Sequence, residues 1–456
     1  METPLKRWRR RCGERWLSGV DPEVLCDAYA AFQDERARHP GSVRIQLADA
    51  NPVNQLAGLF AALDDEDPVD VFVTPGHATP AELAAYEASV GGDFFWSARE
   101  LVSCGRPRVT RAIGSRSRVM IPTGGTTAAP RFAVHTQGTL EAAAYGLQTW
   151  LGGGPIDSVC VLPLHHVSGL MQAIRSFATG GILTLCDWSR VASGHFPRDD
   201  GRPRVVSLVP TQLARLLDLP DGPAWLRGFR CVFLGGAAAW PGLLERARSE
   251  RLPLAPCYGM TETAAQVTTM RPEAFLAGEA GVGSALPHAA VEIVDDAGAP
   301  LPAGREGRVR VRAASLFFGY SPDPQPTQPG FYDTSDRGVL DAAGRLTVLG
   351  RIDAVINTGG EKVDPLEVEA ALRELGVADA AVLGVPDPRW GESVVAIVAG
   401  CTHDDDTLHL RLRHALAAHK VPKRFVRVAA LPRSEAGKLD RRALRALAGA
   451  ATAREA

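Results

Sequence analysis

The stretch from Ser158 to Trp188 reads SVCVLPLHHVSGLMQAIRSFATGGILTLCDW and contains two short β-rich runs on either side of a helical pattern. The first run is SVCVLPL and the second is GILTLCDW. Between them, Met171, Ile174 and Ala178 recur at the spacing of one helix face. A strand, a helix and a strand in this order are typical of a βαβ unit. We therefore expect an α/β protein with a mainly parallel sheet.

The same alternation continues through most of the first 290 residues. Strand-like runs such as DVFVTP, RVVSLVP and RCVFLGG alternate with helix candidates such as TLEAAAYGLQTWL and TQLARLLDL. From LPHAAVEIV to SLFFGY the pattern changes to alternating strands with turn dipeptides, which predicts a smaller β-subdomain. A Pro-rich loop, SPDPQPTQPGFYDT, follows it.

The last hundred residues predict a separate small α+β unit. In VDPLEVEAALRELG, Asp364 is the expected N-cap, Pro365 is the first helical residue, and Glu367 completes a capping box. Gly376 is the expected stop. Two strands, DAAVLGVP and SVVAIVAG, come next, and TLHLRLRHALAAHKVP predicts a helix that Pro422 ends.

Composition limits the class of protein. The chain has 456 residues, of which 45% are hydrophobic and 22% charged, as in ordinary globular proteins of two or three domains. A formal net charge of -2 gives no general attraction to nucleic acid or to anionic membranes. No apolar run approaches the roughly 18 residues of a membrane span, and the basic N-terminal segment lacks the apolar core of a secretory signal.

Cysteine usage indicates the compartment. The eight cysteines form no C-x-x-C pair, so the sequence predicts neither a zinc ribbon nor a redox motif. Cys160 and Cys231 lie inside apolar strand-like runs and are expected to be buried. A reducing cytoplasm fits this pattern.

A loop rich in glycine and threonine lies in IPTGGTTAAPRFAVHT, from Ile121 to Thr136. Small residues let backbone N–H groups line a concave nest for an anion, and neighbouring hydroxyls and a cation can bind the same oxygens. The alternative is an ordinary flexible turn. No G-x-x-x-x-G-K-[ST] occurs in the chain, so this is not the common nucleotide loop.

Other segments carry residues suited to nucleotide chemistry. LAPCYGMTETAAQ contains an aromatic residue that can stack on a purine, a threonine hydroxyl and a carboxylate that can bind magnesium. FLGGAAAW places two glycines just after a strand, where open α/β sheets bind ligands. Asp336 in YDTSD is suited to ribose hydroxyls, Arg351 lies in LGRIDAVINTGG, and Lys438 lies in a glycine-containing loop near the end.

In this order, over about residues 110–445, the segments resemble the adenylate-forming superfamily of acyl-CoA synthetases, peptide-synthetase adenylation domains and luciferases. YGMTE, TSD, GRID and the terminal GKL carry the resemblance. In the phosphate loop, Arg131 stands where the family has a lysine, and Ala129 precedes Pro130. The resemblance implies a large N-terminal part of βαβ layers (1–350), a hinge (351–353) and a small mobile α+β C-terminal domain (354–456).

The resemblance also implies the substrates and the residues that bind them. ATP, Mg²⁺ and coenzyme A are expected, together with a small-molecule carboxylic acid. The phosphate-binding residues would be Thr123, Gly124, Gly125, Thr126, Thr127 and Arg131. The adenine-binding residues would be Gly235, Gly236, Ala237, Tyr258 and Gly259. Thr261 would contact the α-phosphate, Glu262 the metal and Asp336 the ribose, with Arg351 nearby.

For the chemistry, the resemblance implies that Lys438 stabilises the charge that develops between the carboxylate and the α-phosphate. The small domain would then rotate about Asp353, and Gly359 and Gly360 would let the pantetheine arm pass close to the backbone. Thr261, Glu262 and His166 complete the catalytic set. The sequence leaves the oligomeric state open, and a homodimer is compatible with it.

The acid substrate is indicated by VLPLHHVSGLMQAIRSFATGG. His166 falls where the superfamily places a histidine before the acyl pocket, and Gly169 and Arg175 follow it. Arg175 lies on a mostly apolar helix face and should have an anionic partner. That partner is either a structural carboxylate or a second carboxylate on the substrate; otherwise the side chain reaches out to solvent.

Within the superfamily, this segment most resembles the branch that activates o-succinylbenzoate, an aromatic dicarboxylic acid. Two alternatives stay open at this point. One is another aryl or short-chain acyl-CoA ligase, and the other is an adenylation enzyme that loads a carrier protein.

Overall fold

The computed structural model describes residues 11, 13–76, 86, 89–104, 116–123, 131–198, 200–321, 324, 330–433 and 439–452. Within these residues the elements alternate between strand and helix as far as about residue 276, and strands dominate after that. The strands are β1 (Val43–Leu47), β2 (Val69–Val73), β3 (Phe94–Ser97), β4 (Glu100–Ser103), β5 (Arg118–Thr123), β6 (Arg131–Thr136), β7 (Ser158–Cys160), β8 (Leu183–Leu185), β9 (Val205–Leu208), β10 (Cys231–Leu234), β11 (Leu254–Met260), β12 (Ala265–Thr269), β13 (Ser284–Ala285), β14 (Ala289–Val294), β15 (Glu306–Ala313), β16 (Tyr320–Ser321), β17 (Tyr332–Leu340), β18 (Leu346–Arg351), β19 (Ile356–Thr358), β20 (Glu361–Val363), β21 (Asp379–Asp387), β22 (Gly391–Ala399) and β23 (Arg424–Val428). The helices are α1 (Pro22–Ala37), α2 (Pro52–Leu63), α3 (Gln137–Trp150), α4 (Val167–Thr179), α5 (Trp188–Val191), α6 (Pro210–Leu217), α7 (Gly222–Arg227), α8 (Pro241–Ser249), α9 (Pro272–Leu276), α10 (Pro365–Glu374), α11 (Asp405–Ala415) and α12 (Arg441–Thr452).

The first sheet has the order β16-β6-β5-β2-β1-β3-β4. Strands β3, β1, β2 and β5 are paired in parallel, and antiparallel strands flank them: β4 at one edge, and β6 with β16 at the other. All five residues of β2 are buried, as expected for a parallel strand covered on both faces. Asp70 on this strand is buried and forms an ion pair with Arg118 of β5, at 2.6 Å between Oδ2 and Nη2. This pair fixes the strand that leads into the phosphate loop.

The second sheet has the order β13-β12-β11-β10-β9-β7-β8. Strands β7 to β11 are paired in parallel, so their carboxyl ends lie at one edge of the sheet. The sequence-predicted βαβ unit is confirmed, with β7, α4 and β8 in that order. Cys160 and Cys231 are buried in this sheet, as expected.

Helix α4 lies in the core that the two sheets share. Every residue from Gly169 to Phe177 is buried, which fits a helix that is covered on all sides. The ring of Phe177 stacks on Phe60 of α2 with 4.1 Å between centroids, and Trp16 meets both rings edge-on. Gln172 and Arg175 are therefore polar groups inside a hydrophobic core.

The third sheet, β14-β15-β17-β18, is antiparallel and confirms the predicted β-subdomain. The fourth has the order β20-β19-β22-β21, with β23 parallel to β22, and helices α10, α11 and α12 accompany it. The α/β class with a large N-terminal part and a small C-terminal unit is therefore confirmed. A short 3₁₀ turn, Ile352–Ala354, connects the third and fourth sheets. That the hinge lies here stays a prediction.

Two local predictions for the small unit were wrong. Asp364 caps α10 by accepting from the backbone N–H of Leu366, but Glu367 does not close a capping box. Instead the Glu367 carboxylate binds the Lys420 ammonium at 2.7 Å, because a charged partner from a distant segment is available. Helix α11 ends at Ala415 rather than continuing to Pro422.

None of the helices in the described ranges combines the length and the apolar composition that a transmembrane span requires.

The ion pair between the buried Asp70 and the half-buried Arg118 should make a large contribution to stability. Replacing Asp70 with alanine leaves the Arg118 charge without its partner, and we expect the free energy of unfolding to fall by about 3 kcal/mol in urea titrations. Glu250→Gln is the matched control, because the Glu250–Arg227 pair is exposed. That variant should lose less than about 1 kcal/mol. Equal losses in the two variants would contradict the assignment.

Candidate active site

Two glycine-containing segments meet at the carboxyl ends of the adjacent parallel strands β10 and β11. At Gly235 an added Cβ would lie 2.8 Å from Sγ of Cys257, so the close approach of the two segments requires glycine. Gly236 has a φ of +81°, which also favours glycine. The structure thus brings together the residues that the sequence assigned to adenine: Gly235, Gly236, Ala237, Tyr258 and Gly259.

Tyr258 connects this edge of the second sheet to the third sheet. Its hydroxyl donates to Oδ2 of Asp336 on β17 at 2.6 Å. Burial, followed by the charge of Asp336, raises the pKa of Tyr258 well above its ordinary value, so the phenol stays protonated and remains a donor. Asp336 is 9% exposed, and its other oxygen lies on the side of Arg351. The predicted ribose-binding carboxylate therefore lies directly beside the predicted adenine-binding tyrosine.

Arg351 lies opposite Asp336 in the β17–β18 register. Its Nη1 is 3.9 Å from Oδ1 of Asp336, and it binds Asp353 with two hydrogen bonds of 2.7 and 2.6 Å. The bonds from Arg351 lower the pKa of Asp353, and the same bonds raise the pKa of Arg351. The residue predicted as the hinge is thus held by the arginine next to the ribose carboxylate.

The Thr261–Thr263 turn, which contains Glu262, is fixed by a hydrogen bond from a buried histidine. Nε2 of His135 lies 2.8 Å from the carbonyl oxygen of Thr261, and its Nδ1 lies 3.1 Å from the Thr139 hydroxyl. Burial lowers the pKa of His135 to about 4, so the ring is neutral at physiological pH and donates through Nε2. The next residue after the turn, Ala264, has a φ of +50°. The turn and the His135 contact fix the backbone at Glu262, whose side chain is half-buried.

Glu262 contacts a tyrosine that the sequence analysis did not select. The hydroxyl of Tyr320 donates to Oε1 of Glu262 at 2.5 Å. On the other side, the guanidinium carbon of Arg131 lies 3.8 Å from the Tyr320 ring centroid, a cation–π geometry. The predicted phosphate-binding arginine and the predicted metal ligand are therefore connected through one aromatic side chain.

Several predicted residues lie outside the described part of the chain. These are Gly124, Gly125, Thr126 and Thr127 of the phosphate loop, and Lys438. The end of the preceding strand is described: the Thr123 hydroxyl donates to the carbonyl oxygen of Arg131 at 3.3 Å. The two ends of the loop are thus held together as neighbouring strands β5 and β6.

On the acyl side, His166 is the N-cap residue of α4 and makes no side-chain capping bond. The rings of His165 and His166 lie 4.2 Å apart. Gly169 packs tightly: an added Cβ would lie 2.1 Å from the Pro163 carbonyl oxygen. Close packing of α4 against the preceding segment therefore explains this glycine, whereas its predicted contact with substrate stays a prediction.

Arg175 is 2% exposed, and its Nη2 donates to the side-chain oxygen of Gln266 at 2.8 Å. Within the part of the chain that the structure describes, its Nε has no hydrogen-bond partner and no carboxylate forms an ion pair with it. Burial lowers the pKa of Arg175 to about 10, so the side chain still carries its charge at neutral pH. Among the described residues, two of the three alternatives from the sequence are therefore excluded: Arg175 neither pairs with a structural carboxylate nor reaches solvent. The remaining alternative is a second carboxylate on the substrate.

His288 is a second unsatisfied donor that the sequence analysis missed. Both ring nitrogens are buried, and neither has a hydrogen-bond partner among the described residues. The ring packs against Gly146 of α3, where an added Cβ would lie 1.9 Å from Nδ1. Burial, followed by the charge of Arg175, lowers the pKa of His288 to about 4. A neutral histidine and a charged arginine therefore share one interior region. Only the three-dimensional packing shows it, because the two residues are far apart in sequence.

In the small unit, Gly359 and Gly360 form the turn between β19 and β20 with φ angles of +60° and +87°. An added Cβ on Gly359 would lie 2.8 Å from the Trp390 ring, whereas Gly360 faces open space. This exposed turn has the small residues that the pantetheine prediction requires.

The described residues contain no cluster of three or more histidine, cysteine, aspartate or glutamate side chains able to hold a metal by themselves. Magnesium is usually bound by one or two carboxylates together with substrate phosphates and water. A single carboxylate such as Glu262, beside a phosphate loop, fits that mode.

Family models match both parts of the chain. The model for "AMP-binding enzyme" matches residues 43–321, and that for "AMP-binding enzyme C-terminal domain" matches residues 367–438. The chain is 33% identical over 345 residues to a 2-succinylbenzoate–CoA ligase of Listeria monocytogenes. The aligned region covers 73% of this chain and 70% of that relative.

Solved structures agree with this fold. The o-succinylbenzoate CoA synthetase of Bacillus subtilis, in complex with the acyl-adenylate OSB-AMP, superimposes with a TM-score of 0.79 at 24% identity, over 96% of this chain and 98% of that one. The same enzyme in complex with ATP and magnesium gives a TM-score of 0.76 at 24% identity, over 95% and 98%. On the evidence of both family models and of the curated relative, the chain belongs to the AMP-binding enzyme family, within the adenylate-forming superfamily.

Proposed function

We propose that this chain is an acid–thiol ligase that uses ATP to activate o-succinylbenzoate as an acyl-adenylate and then transfers the acyl group to coenzyme A. The observation that carries the substrate assignment is Arg175, a buried charged arginine for which the described residues offer no carboxylate. The curated relative named 2-succinylbenzoate–CoA ligase supports it. This reaction is a step in the synthesis of menaquinone or phylloquinone.

ATP would lie across the carboxyl ends of β10 and β11. The adenine would contact the segments at Gly235 and Tyr258, which are adjacent. The Asp336 carboxylate can accept hydrogen bonds from both ribose hydroxyls, because an ionised carboxylate has about four acceptor positions and Tyr258 occupies one. Thr123 and the loop that follows it would bind the β- and γ-phosphates, and Arg131 lies at the far end of that loop, opposite Thr123.

Mg²⁺ would be held by Glu262 together with phosphate oxygens of ATP. When bound, the metal neutralises charge on the phosphates and so favours departure of pyrophosphate. The chain's own contribution is the placement of this carboxylate by the Thr261 turn, which His135 fixes through the Thr261 carbonyl. The Thr261 hydroxyl would contact the α-phosphate.

In the first half-reaction, a carboxylate oxygen of the acid attacks the α-phosphorus of ATP, and the bond to pyrophosphate breaks. Both reactants are anionic, so alignment and cationic groups lower the barrier. Lys438 would stabilise the charge that develops between them. His166, at the start of α4, would border the reacting acyl group.

In the second half-reaction, the thiol of coenzyme A attacks the acyl carbon and AMP leaves. We propose that the unit after residue 353 rotates about Asp353 between the two steps, which replaces Lys438 in the cleft by the Gly359–Gly360 turn. The Arg351–Asp353 pair supports a hinge here, because it spans the connection between the third and fourth sheets.

We further propose that the chain divides into a large domain, residues 1–350, and a small domain, residues 354–456. We also propose a cytoplasmic location, and a homodimer as one candidate assembly.

The acid would lie with its succinyl carboxylate at the α-phosphate and its aromatic carboxylate at Arg175. Helix α4 carries both His166 at its start and Arg175 two turns later, so one rigid element spans the acyl site. The Arg175 fork offers Nε and its remaining N–H groups for a bidentate contact with a carboxylate.

A panel of carboxylic acids, scored for AMP and pyrophosphate release with coenzyme A present, tests the function. We expect o-succinylbenzoate to be used best. Faster turnover of benzoate or a medium-chain fatty acid would favour another acyl-CoA ligase. Adenylate formation without transfer to free coenzyme A would favour an enzyme that loads a carrier protein.

Removing the Arg175 charge should mainly affect the aromatic carboxylate. For Arg175→Met we expect kcat/KM for o-succinylbenzoate to fall by roughly 10–100-fold, chiefly through KM, because a charge-assisted bond is lost. The matched substrate is 4-oxo-4-phenylbutanoate, which keeps the succinyl carboxylate and lacks the aromatic one. Its kcat/KM should change little, and parallel losses for both acids would contradict the assignment.

Asp336→Asn should weaken ATP binding by about tenfold, because a neutral amide binds the ribose hydroxyls less strongly and also disrupts the Tyr258 bond. Isothermal titration of ATP measures the effect. The control is Asp333→Asn on the same strand, whose side chain is exposed and should leave affinity unchanged. Wild-type affinity in Asp336→Asn would remove this residue from the nucleotide site.

Lys438→Ala should reduce pyrophosphate release from o-succinylbenzoate and ATP by more than about 100-fold, because it removes stabilisation of the first transition state. Thioester formation from preformed acyl-adenylate should fall far less. Lys420→Ala, in the same unit, is the control for loss of a surface ammonium. Equal losses in both half-reactions would reject the assigned role.

A further inference from the structure

We propose that Tyr320 is a positioning residue for Glu262, and that Arg131 acts through Tyr320 rather than as a direct phosphate ligand. The inference rests on the proposed function, since it concerns how this chain binds the metal complex of ATP. Two consecutive contacts support it. The Arg131 guanidinium packs over the Tyr320 ring, and the Tyr320 hydroxyl donates a hydrogen bond to Glu262.

The sheet register explains why the three side chains meet. Strand β16 pairs with β6 so that Tyr320 lies opposite Ala133. Arg131 is two residues before Ala133, so its side chain projects from the same face of the sheet and lies diagonally beside Tyr320. Glu262 is brought to the same place by its own backbone, whose carbonyl oxygen accepts from the Phe317 N–H at 2.9 Å.

The surrounding rings hold Tyr320 in one orientation. Phe317 meets Tyr320 edge-on at 4.9 Å and Tyr332 at 5.3 Å, and the two tyrosine hydroxyls lie 3.5 Å apart. The hydroxyl therefore occupies Oε1 of Glu262, and the other carboxylate oxygen is left for the metal.

A carboxylate with one oxygen occupied offers a single, oriented ligand, which suits a cation that demands near-ideal octahedral geometry and keeps most of its waters. Outer contacts of this kind commonly tune metal affinity by 10- to 100-fold. A guanidinium over the ring draws electron density from the phenol and strengthens its hydrogen bond to Glu262. Arginine suits this stacking because it is planar, whereas lysine is a compact point charge.

The test is equilibrium binding of ATP by calorimetry, once with excess Mg²⁺ and once with the metal chelated, on the full chain without acid or coenzyme A. The measured quantity is the factor by which Mg²⁺ tightens ATP binding. For Tyr320→Phe, which keeps the ring and loses the hydroxyl, we expect this factor to fall by about fivefold or more, with metal-free affinity within about twofold of wild type. An unchanged factor would overturn the role of Tyr320.

Arg131→Gln separates the two readings of the arginine. If Arg131 acts through Tyr320, Arg131→Gln alone lowers the factor by which Mg²⁺ tightens ATP binding, here called the magnesium factor. Added to Tyr320→Phe, the same substitution lowers it no further. Weaker ATP binding by the same ratio with and without Mg²⁺ would overturn the proposal, because it would mark a direct phosphate contact. Additive effects of the two substitutions on the magnesium factor would overturn it as well.

Matched controls guard against a merely structural effect. Tyr29→Phe removes a tyrosine hydroxyl that donates to Asp64 in the N-terminal core, and Arg312→Gln removes an exposed arginine that stacks on Phe331. Both should keep the wild-type magnesium factor, and a drop in either would contradict a site-specific role. Because these titrations contain no organic acid, their outcome is separate from the substrate panel, whose failure would affect only the proposed function.

Discussion

The hydrogen bond from the Tyr258 hydroxyl to the Asp336 carboxylate joins the second sheet to the third, and the geometry of the nucleotide site depends on it. One partner ends a strand of a parallel sheet, and the other lies on an antiparallel strand of the β-subdomain. Since the donor is held protonated by burial, the bond persists over the physiological pH range. The register then places Arg351 opposite Asp336, and Arg351 in turn holds Asp353. The residues predicted to bind adenine and ribose and to form the hinge are thus joined by one continuous series of contacts.

Elements, segments and residue types could be predicted from the sequence because these depend on local patterns. The period of apolar residues gave β7, α4 and β8, and glycines after strand ends gave the segment at Gly235. Partners could not be predicted in the same way. Asp336 is 78 residues from Tyr258 along the chain, and no local pattern pairs them. The same limit explains the error at Glu367, since a capping box is a local rule and Lys420 comes from 53 residues away.

Two arginines show how the structure extends what the sequence suggests. Arg131 stands where the resemblance places a lysine, and its guanidinium lies over the Tyr320 ring, a contact that suits a planar cation. Arg175 raised the question of an anionic partner. The described residues supply only the neutral oxygen of Gln266, which leaves the charge incompletely satisfied. Arg131 thus stacks on an aromatic side chain, whereas Arg175 is buried in the core beside a neutral amide. Neither role follows from residue type alone.

The buried charge of Arg175 affects the stability and turnover of the protein as well as its chemistry. Among the described residues no carboxylate pairs with this guanidinium, and a buried charge without an ionic partner lowers the stability of a fold. A dicarboxylate bound to Arg175, as proposed, would offset this cost and, by mass action, would favour the folded chain. Starvation for the acid would therefore leave the population more prone to thermal inactivation and proteolysis. Supply of the metabolite would then help to set how much enzyme survives.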